Sequence, residues 1–154
     1  FGDKEGLFQA VVDERVSVLT QGTGLALNEN LPLREGLQQI GEGLLRIVTS
    51  QTSVESFRLM VATAKRFPDI ANRHTRQIPQ RIREALASYI QSRVAAGDLQ
   101  VSDCSSAAGL FVDMVRTHTQ LLALMDPNYR PTDDEIRERV KRAVNMFMGG
   151  AAAL

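Results

Sequence analysis

The side chains that could carry metal or nucleophilic chemistry are few and widely spaced in this sequence. There are two histidines, His74 and His118, and one cysteine, Cys104. None of them lies at the short spacings that characterise metal sites, and no phosphate-binding glycine loop or nucleophile elbow is present. His118 falls on an apolar helical face, where it could anchor a ligand or serve as a hydrogen-bonded core or interface residue. We therefore expect no metal and no cofactor.

Three consecutive acidic residues, Asp133, Asp134 and Glu135, could in principle act as paired catalytic carboxylates. Thr132 precedes them, however, and a threonine followed three residues later by a glutamate is the pattern of a helix capping box. Acidic side chains in a first turn also interact favourably with the helix dipole. The pattern predicts the beginning of a helix, and we expect no enzymatic activity.

Asp3 and Lys4 form a second charged pair at a predicted helix start. Asp3 can accept hydrogen bonds from the backbone N–H groups of the first turn. Lys4 opposes the positive end of the helix dipole unless an anion, such as a phosphate, is bound there. We predict that Lys4 contacts a DNA phosphate, the alternative being an ordinary solvated lysine.

Overall charge gives no sign of a nucleic-acid surface. Eighteen basic and eighteen acidic residues balance to a formal net charge of zero. One basic cluster is interrupted by acidic and apolar residues and has no interleaved aromatic platform, so a solvated surface is the favoured interpretation. Its members are Lys65, Arg66, Arg73, His74, Arg76, Arg81 and Arg83.

Hydrophobic periodicity predicts helices only. With 154 residues, 44% of them hydrophobic, the chain can build a single core, and no strand-like alternation runs for a useful length. No segment approaches a membrane span or a signal peptide. The predicted elements are a helix from Asp3 to about Leu19, one from Pro32 to Val48, one capped by Ser53 and stopped at Phe67-Pro68, a short turn from Pro68 to about Thr75, a helix from Ile78 to Val94 stopped by Gly97, one over 102–125, and one from Thr132 to about Gly149.

The last two helices predict self-association. The helix over 102–125 is apolar over more than one stripe, which indicates two packing partners, whereas the final helix carries a single narrow seam. Together they could form a four-helix bundle with their symmetry mates in a homodimer. The alternative is a central core helix of a monomer. The predicted interface residues are Leu110, Thr117, Leu121, Leu124, Ile136, Val140, Val144 and Phe147.

Three short motifs resemble one family. The run F-G-D-K-E-G-L-F over residues 1–8 resembles the junction of TetR/AcrR-family transcriptional regulators, where the helix-turn-helix ends and a long connecting helix begins. A-K-R-F-P-D-I-A over 64–71 and V-A-A-G-D-L over 94–99 resemble the C-terminal regulatory domain of the AefR-like subgroup. The resemblance implies an all-α, TetR-like C-terminal bundle of about six or seven helices. It also implies one ligand-binding and dimerisation domain over 1–154, with residues 1–8 joining it to a missing N-terminal helix-turn-helix.

The resemblance implies a cytoplasmic transcriptional regulator, usually a repressor, that acts as a homodimer and has no membrane association. A small lipophilic or aromatic effector would bind a cavity, swing the connecting helix and release operator DNA from the missing N-terminal domain. The rival hypothesis is an all-α small-molecule-binding or protein-interaction module without a DNA role. Gly36, Gly41 and Gly43 predict a thin, adaptable helix beside the cavity. The candidate cavity residues, each equally suited to a plain core, are Phe57, Met60, Val61, Tyr89, Phe111, Met114 and His118.

Overall fold

The computed structural model describes residues 31–150, without the side chains of residues 70, 73–75 and 77–79. These residues form five α-helices and contain no strand, which confirms the all-α prediction with slightly fewer helices than expected. The predicted connecting helix from Asp3 and the phosphate contact of Lys4 lie outside the described residues. The helices are α1 Leu33–Val48, α2 Gln51–Thr63, α3 Pro68–Ala95, α4 Cys104–Met125 and α5 Asp133–Gly150.

The predicted break between a short turn and a helix at Ile78 was wrong, since α3 is continuous over 28 residues. Pro68 occupies a first-turn position, where its missing N–H costs nothing, and the N–H of Ala71 donates to the carbonyl of Phe67 at 3.2 Å. Pro79 removes one donor from the ladder but does not end the helix. None of the helices in residues 31–150 is long and apolar enough to cross a membrane.

The start of α2 also differs from the prediction by one helical turn. Ser50, rather than Ser53, is the N-cap, and its hydroxyl oxygen accepts a hydrogen bond from the backbone N–H of Ser53 at 3.3 Å. Both serines satisfy the composition rule for a cap. The cap belongs to Ser50 because α1 ends at Val48, which leaves only two residues to make the turn.

Residues with the types expected at helix ends stabilise the start of α5, the end of α3 and the start of α4. Thr132 and Glu135 form the reciprocal capping box, with N–H to side-chain oxygen distances of 2.7 and 3.2 Å. Gly97 adopts a φ of +83° directly after α3, a conformation that favours glycine. At the start of α4, the hydroxyl and the backbone N–H of Ser106 donate to the Asp103 carboxylate and hold the pKa of that carboxyl below its usual range.

The core lies between α1, α3, α4 and α5. α1 packs against α4 and α5, and α3 packs along α4. The rings of Phe111 and Phe147 meet edge to face with centroids 5.3 Å apart, which joins α4 to α5 at the centre of the core. α1 approaches α5 closely at Gly41, where a Cβ atom would lie 2.5 Å from a methyl carbon of Val140. Gly41 is therefore a close-packing position and not the source of adaptability that the sequence suggested.

We expect Gly41→Ala to lower the free energy of unfolding by about 1 kcal/mol, because overpacking against Val140 exceeds the gain of about 1 kcal/mol in helix propensity. Val140 is fully buried and its β-branched side chain has few alternative rotamers. Urea denaturation followed by circular dichroism measures the change.

A double-mutant cycle tests the cause. In a Val140→Ala background, Gly41→Ala should be neutral or stabilising, because the methyl groups that it meets are gone. Gly149→Ala is the matched control, since no heavy atom lies within 4 Å of the added Cβ. Equal losses from Gly41→Ala in both backgrounds would show that the contact with Val140 is not the reason.

Candidate functional site

A buried tyrosine hydroxyl lies at the contact between α3 and α1. Tyr89 lies near the C-terminal end of α3 and is 3% exposed. Its hydroxyl reaches α1 beside Gly36, so close that a Cβ atom on Gly36 would lie 2.0 Å from the Tyr89 Oη. Within the part of the chain that the structure describes, no group forms a hydrogen bond with this hydroxyl. A buried polar group in this state costs free energy, so its position requires an explanation.

Arg93 lies one helical turn after Tyr89 and connects α3 with the chain leading into α1. Its guanidinium carbon lies 5.5 Å from the centroid of the Tyr89 ring. Nη2 donates to the carbonyl of Leu31 at 2.8 Å, and Nη1 forms an ion pair with Asp98 at 3.2 Å. The arginine therefore holds the C-terminal end of α3, the turn after it and the segment before α1 together.

The first turn of α1 lies at the same place and lacks a side-chain cap. Pro32 is the N-cap residue and supplies no side-chain acceptor. The first N–H of the helix to reach a carbonyl is that of Gly36, which donates to Pro32 at 2.9 Å. The preceding N–H groups carry the partial positive charge of the helix N-terminus. The Tyr89 hydroxyl lies beside this turn, at Gly36.

The predicted cavity residues do not all belong to this region. Tyr89 and Phe111 lie in the main core, and Met114 packs against it. Val61 is 61% exposed and His118 is exposed as well, so neither faces the described interior. Helical spacing identifies a face but not which face is covered, so it could not separate these two residues from the others. On α2, Met60 is buried and Phe57 is half-buried.

Sequence reasoning missed the parts played by Gly36 and Arg93. A glycine inside a helix signals close approach of another element but not its identity. An arginine in a last helical turn is expected for dipole reasons alone. Neither signal could indicate that both residues meet Tyr89.

An open groove lies between α1 and α5 and has a volume of about 430 Å³. Charged and amide side chains line it. Within it, the Arg34 guanidinium donates to the Asn145 side chain and the Gln38 amide donates to the carbonyl of Arg137. The lining residues are Arg34, Glu35, Gln38, Gln39, Glu42, Lys141 and Asn145.

The predicted interface residues on α5 face the interior of their own chain. Ile136, Val140, Val144 and Phe147 are at most 3% exposed and belong to the core cluster. The narrow seam that suggested a partner helix therefore packs against α1 and α4. The assignment of these four residues to a surface between subunits is corrected accordingly.

The predicted interface residues on α4 lie on its outer side. Leu110 and Leu121 are 47% and 54% exposed, Thr117 is exposed and Leu124 is half-buried. Met125 is 77% exposed at the end of the same helix. These side chains recur at spacings of three, four and seven, which places them along one stripe.

α5 adds a further exposed methionine to this surface. Met146 is 71% exposed. Phe111 contacts Phe147, so Leu110 and Met146, one residue earlier in each helix, lie at the same level of the bundle. We define the outer surface as Leu110, Thr117, Leu121, Met125 and Met146.

The possible metal ligands and the predicted basic cluster can be placed in part of the described chain. No group of three or more histidine, cysteine, aspartate or glutamate side chains there is close enough to hold a metal. Arg66 of the basic cluster lies over the Phe67 ring at 5.3 Å, and Arg81 and Arg83 are exposed.

Comparison with known proteins decides the family. A family model for the C-terminal domain of AefR-like transcriptional repressors matches residues 35–150. The chain belongs to this family. The fold also matches the crystal structure of a protein described as a TetR-family transcriptional regulator from Mesorhizobium loti, with a TM-score of 0.84 and 25% sequence identity. The match covers 97% of this chain and 75% of that one. No curated protein matches the sequence.

Family membership confirms the resemblance noted in the sequence and gives the described helices their context. The matched residues of this AefR-like C-terminal domain run from the first turn of α1 to the end of α5. They include Tyr89, Gly36 and Arg93 as well as the whole outer surface. The chain is therefore the C-terminal domain of a TetR-like transcriptional regulator, a class distinct from enzymes.

We expect Tyr89→Phe to raise the free energy of unfolding of the ligand-free domain by about 1 kcal/mol, because it removes a buried hydroxyl without a protein partner and keeps the ring. Urea denaturation measures the change. Tyr129→Phe is the matched control, since Tyr129 is the second tyrosine and is only half-buried. A loss of stability of 1 kcal/mol or more in Tyr89→Phe would show that a bound water or another group already satisfies the hydroxyl.

Proposed function

We propose that this AefR-like domain senses a small lipophilic effector and dimerises, as part of a repressor that leaves its operator when the effector binds. The family match supports a regulatory C-terminal domain. The observation that carries the sensing role is the buried Tyr89 hydroxyl beside the uncapped start of α1. Operator binding belongs, in this proposal, to an N-terminal helix-turn-helix outside this chain.

The effector acts through the segment that enters α1. Arg93 contacts both the Tyr89 ring and the carbonyl of Leu31, so a ligand at Tyr89 is one side chain away from the chain preceding α1. A ligand that binds one arrangement of this segment more tightly shifts the population towards it. Such a shift would alter the spacing of two DNA-binding heads in a dimer, on which operator recognition depends.

The outer surface is the proposed contact between two copies of the domain. It is a line of large apolar side chains on α4, extended by Met146 on α5. Contiguous exposed apolar surface on a soluble domain marks an interaction site. Two such surfaces related by a two-fold axis form a helix bundle that covers these side chains on both copies.

We expect Leu121→Glu to convert the dimer into a monomer, because the introduced carboxylate would be buried without a partner in the interface. Sedimentation velocity at micromolar concentration measures the oligomeric state. The melting temperature should show that the fold is retained, since Leu121 is 54% exposed within its own chain.

Leu59→Glu provides the matched control for this experiment. Leu59 lies on α2 and is 49% exposed, similar to Leu121, but it is not part of the outer surface. The control should leave the oligomeric state unchanged. A wild-type domain that sediments as a monomer, or a dimer that persists in Leu121→Glu, would contradict the proposed interface.

A panel of lipophilic and aromatic compounds tests the sensing role. We expect at least one compound to raise the melting temperature, because a ligand that binds only the folded state stabilises it, by about 2.7 kcal/mol at a concentration of a hundred times Kd. The same compound should release the full-length regulator from its operator in a gel-shift assay at physiological salt. A panel without any thermal shift would refute the sensing role and leave the family assignment intact.

A further inference from the structure

We propose that the effector is an anionic amphiphile whose carboxylate binds at the start of α1, where it accepts a hydrogen bond from the Tyr89 hydroxyl. This inference rests on the proposed sensing function and names the chemical class of the ligand. Two independent observations carry it. One is a helix N-terminus without a side-chain cap, and the other is a buried hydroxyl without a protein partner at the same place.

The Tyr89 hydroxyl is buried and lacks a hydrogen-bond partner among the described residues. Tyr89 is 97% buried, as its exposed fraction is 3%, and the described residues supply no hydrogen-bond partner for its Oη. Almost all buried polar groups in proteins are hydrogen-bonded to protein, water or ligand. A hydroxyl is a donor as well as an acceptor, so an external group with a free oxygen lone pair can satisfy it.

The Tyr89 hydroxyl lies beside the first turn of α1. The Tyr89 Oη occupies the space where a Cβ of Gly36 would be. Cα–Cβ bonds tilt towards the N-terminus of a helix, so this space overlies the first turn of α1. The hydroxyl is thus directed to the same region as the N–H groups that precede the first intrahelical hydrogen bond.

The groups around the start of α1 favour a negatively charged ligand. The helix N-terminus carries a partial positive charge that favours anions. Arg93 adds a guanidinium whose Nη2 lies 2.8 Å from the carbonyl of Leu31, two residues before the helix begins. The nearby acidic groups are Asp98, paired with Arg93 at 43% side-chain exposure, and Glu35, which is exposed. Both can remain in solvent while an anion binds on the buried side.

The apolar side chains near this position favour a ligand with an apolar body. Residues before and after this position on both helices are buried, apolar members of the core cluster, namely Leu33 and Leu37 on α1 and Leu86 and Ile90 on α3. They favour a hydrocarbon or aromatic body over a polar one. A carboxylate has two acceptor oxygens, so one can meet the Tyr89 hydroxyl while the other meets backbone N–H groups.

The experiment compares 2-naphthoate with its methyl ester, which has the same aromatic body and no charge. Isothermal titration calorimetry at neutral pH measures the affinity of each probe for the 154-residue chain and for two variants. The variants are Tyr89→Phe and the control Tyr129→Phe, which removes the hydroxyl of the only other tyrosine. Each variant is first shown to be folded by circular dichroism.

We expect the wild-type chain to bind 2-naphthoate about tenfold more tightly than the ester, because charge-assisted hydrogen bonds are stronger than neutral ones. Tyr89→Phe should weaken 2-naphthoate binding about three- to tenfold, the range that one hydrogen bond provides, and leave the ester within about twofold. Tyr129→Phe should change neither affinity.

The remaining outcomes separate this inference from the proposed function. Equal affinities for the two probes, or a preference for the ester, would overturn the anionic class and leave effector sensing supported. A charge preference that Tyr89→Phe leaves unchanged would overturn the assignment of the carboxylate to the Tyr89 hydroxyl. Binding of neither probe would overturn the inference, while the compound panel decides the sensing role separately. The wild-type comparison stands even if a variant fails to fold.

Discussion

Two glycines on α1, which have no side chain, determine how closely the described helices pack. At Gly36 a Cβ atom would lie 2.0 Å from the Tyr89 Oη of α3, and at Gly41 it would lie 2.5 Å from a methyl carbon of Val140 on α5. Any other residue at either position would place an atom within 2.5 Å of its neighbour. α1 is therefore held so close to α3 and α5 that a larger residue at either position requires a neighbouring group to move. Because side chains in a protein core are close-packed, the positions of α1, α3 and α5 in turn restrict how α4 packs against them.

The two sides of α4 have different surroundings. Its inner side, centred on Phe111, completes the core against Phe147, while its outer side carries the exposed leucines. α5 has the opposite character, because nearly all its large apolar side chains are needed to cover α1 and α4. In the proposed dimer, a second copy of the domain therefore meets α4 along its length but α5 only near Met146.

The same constraint connects Tyr89 with the segment that precedes α1. Tyr89 reaches the α1 backbone only because Gly36 is present, and Arg93 then joins the tyrosine ring to the carbonyl of Leu31. A group that binds beside Tyr89 would act on a contact that already links three parts of the chain. In a TetR-like regulator, this arrangement supports a short physical route from a ligand to the segment preceding α1.

The sequence by itself determined the local features, because they depend on residues close together in the chain. Helical periodicity indicated the all-α class, Thr132 and Glu135 identified a capping box, and Gly97 marked the end of α3. Motifs at 64–71 and 94–99 indicated the family. The tertiary structure alone decided which apolar faces are covered. Spacing places side chains on one face of a helix but says nothing about the neighbour of that face, so Val140 and Leu121 had equivalent patterns and opposite surroundings.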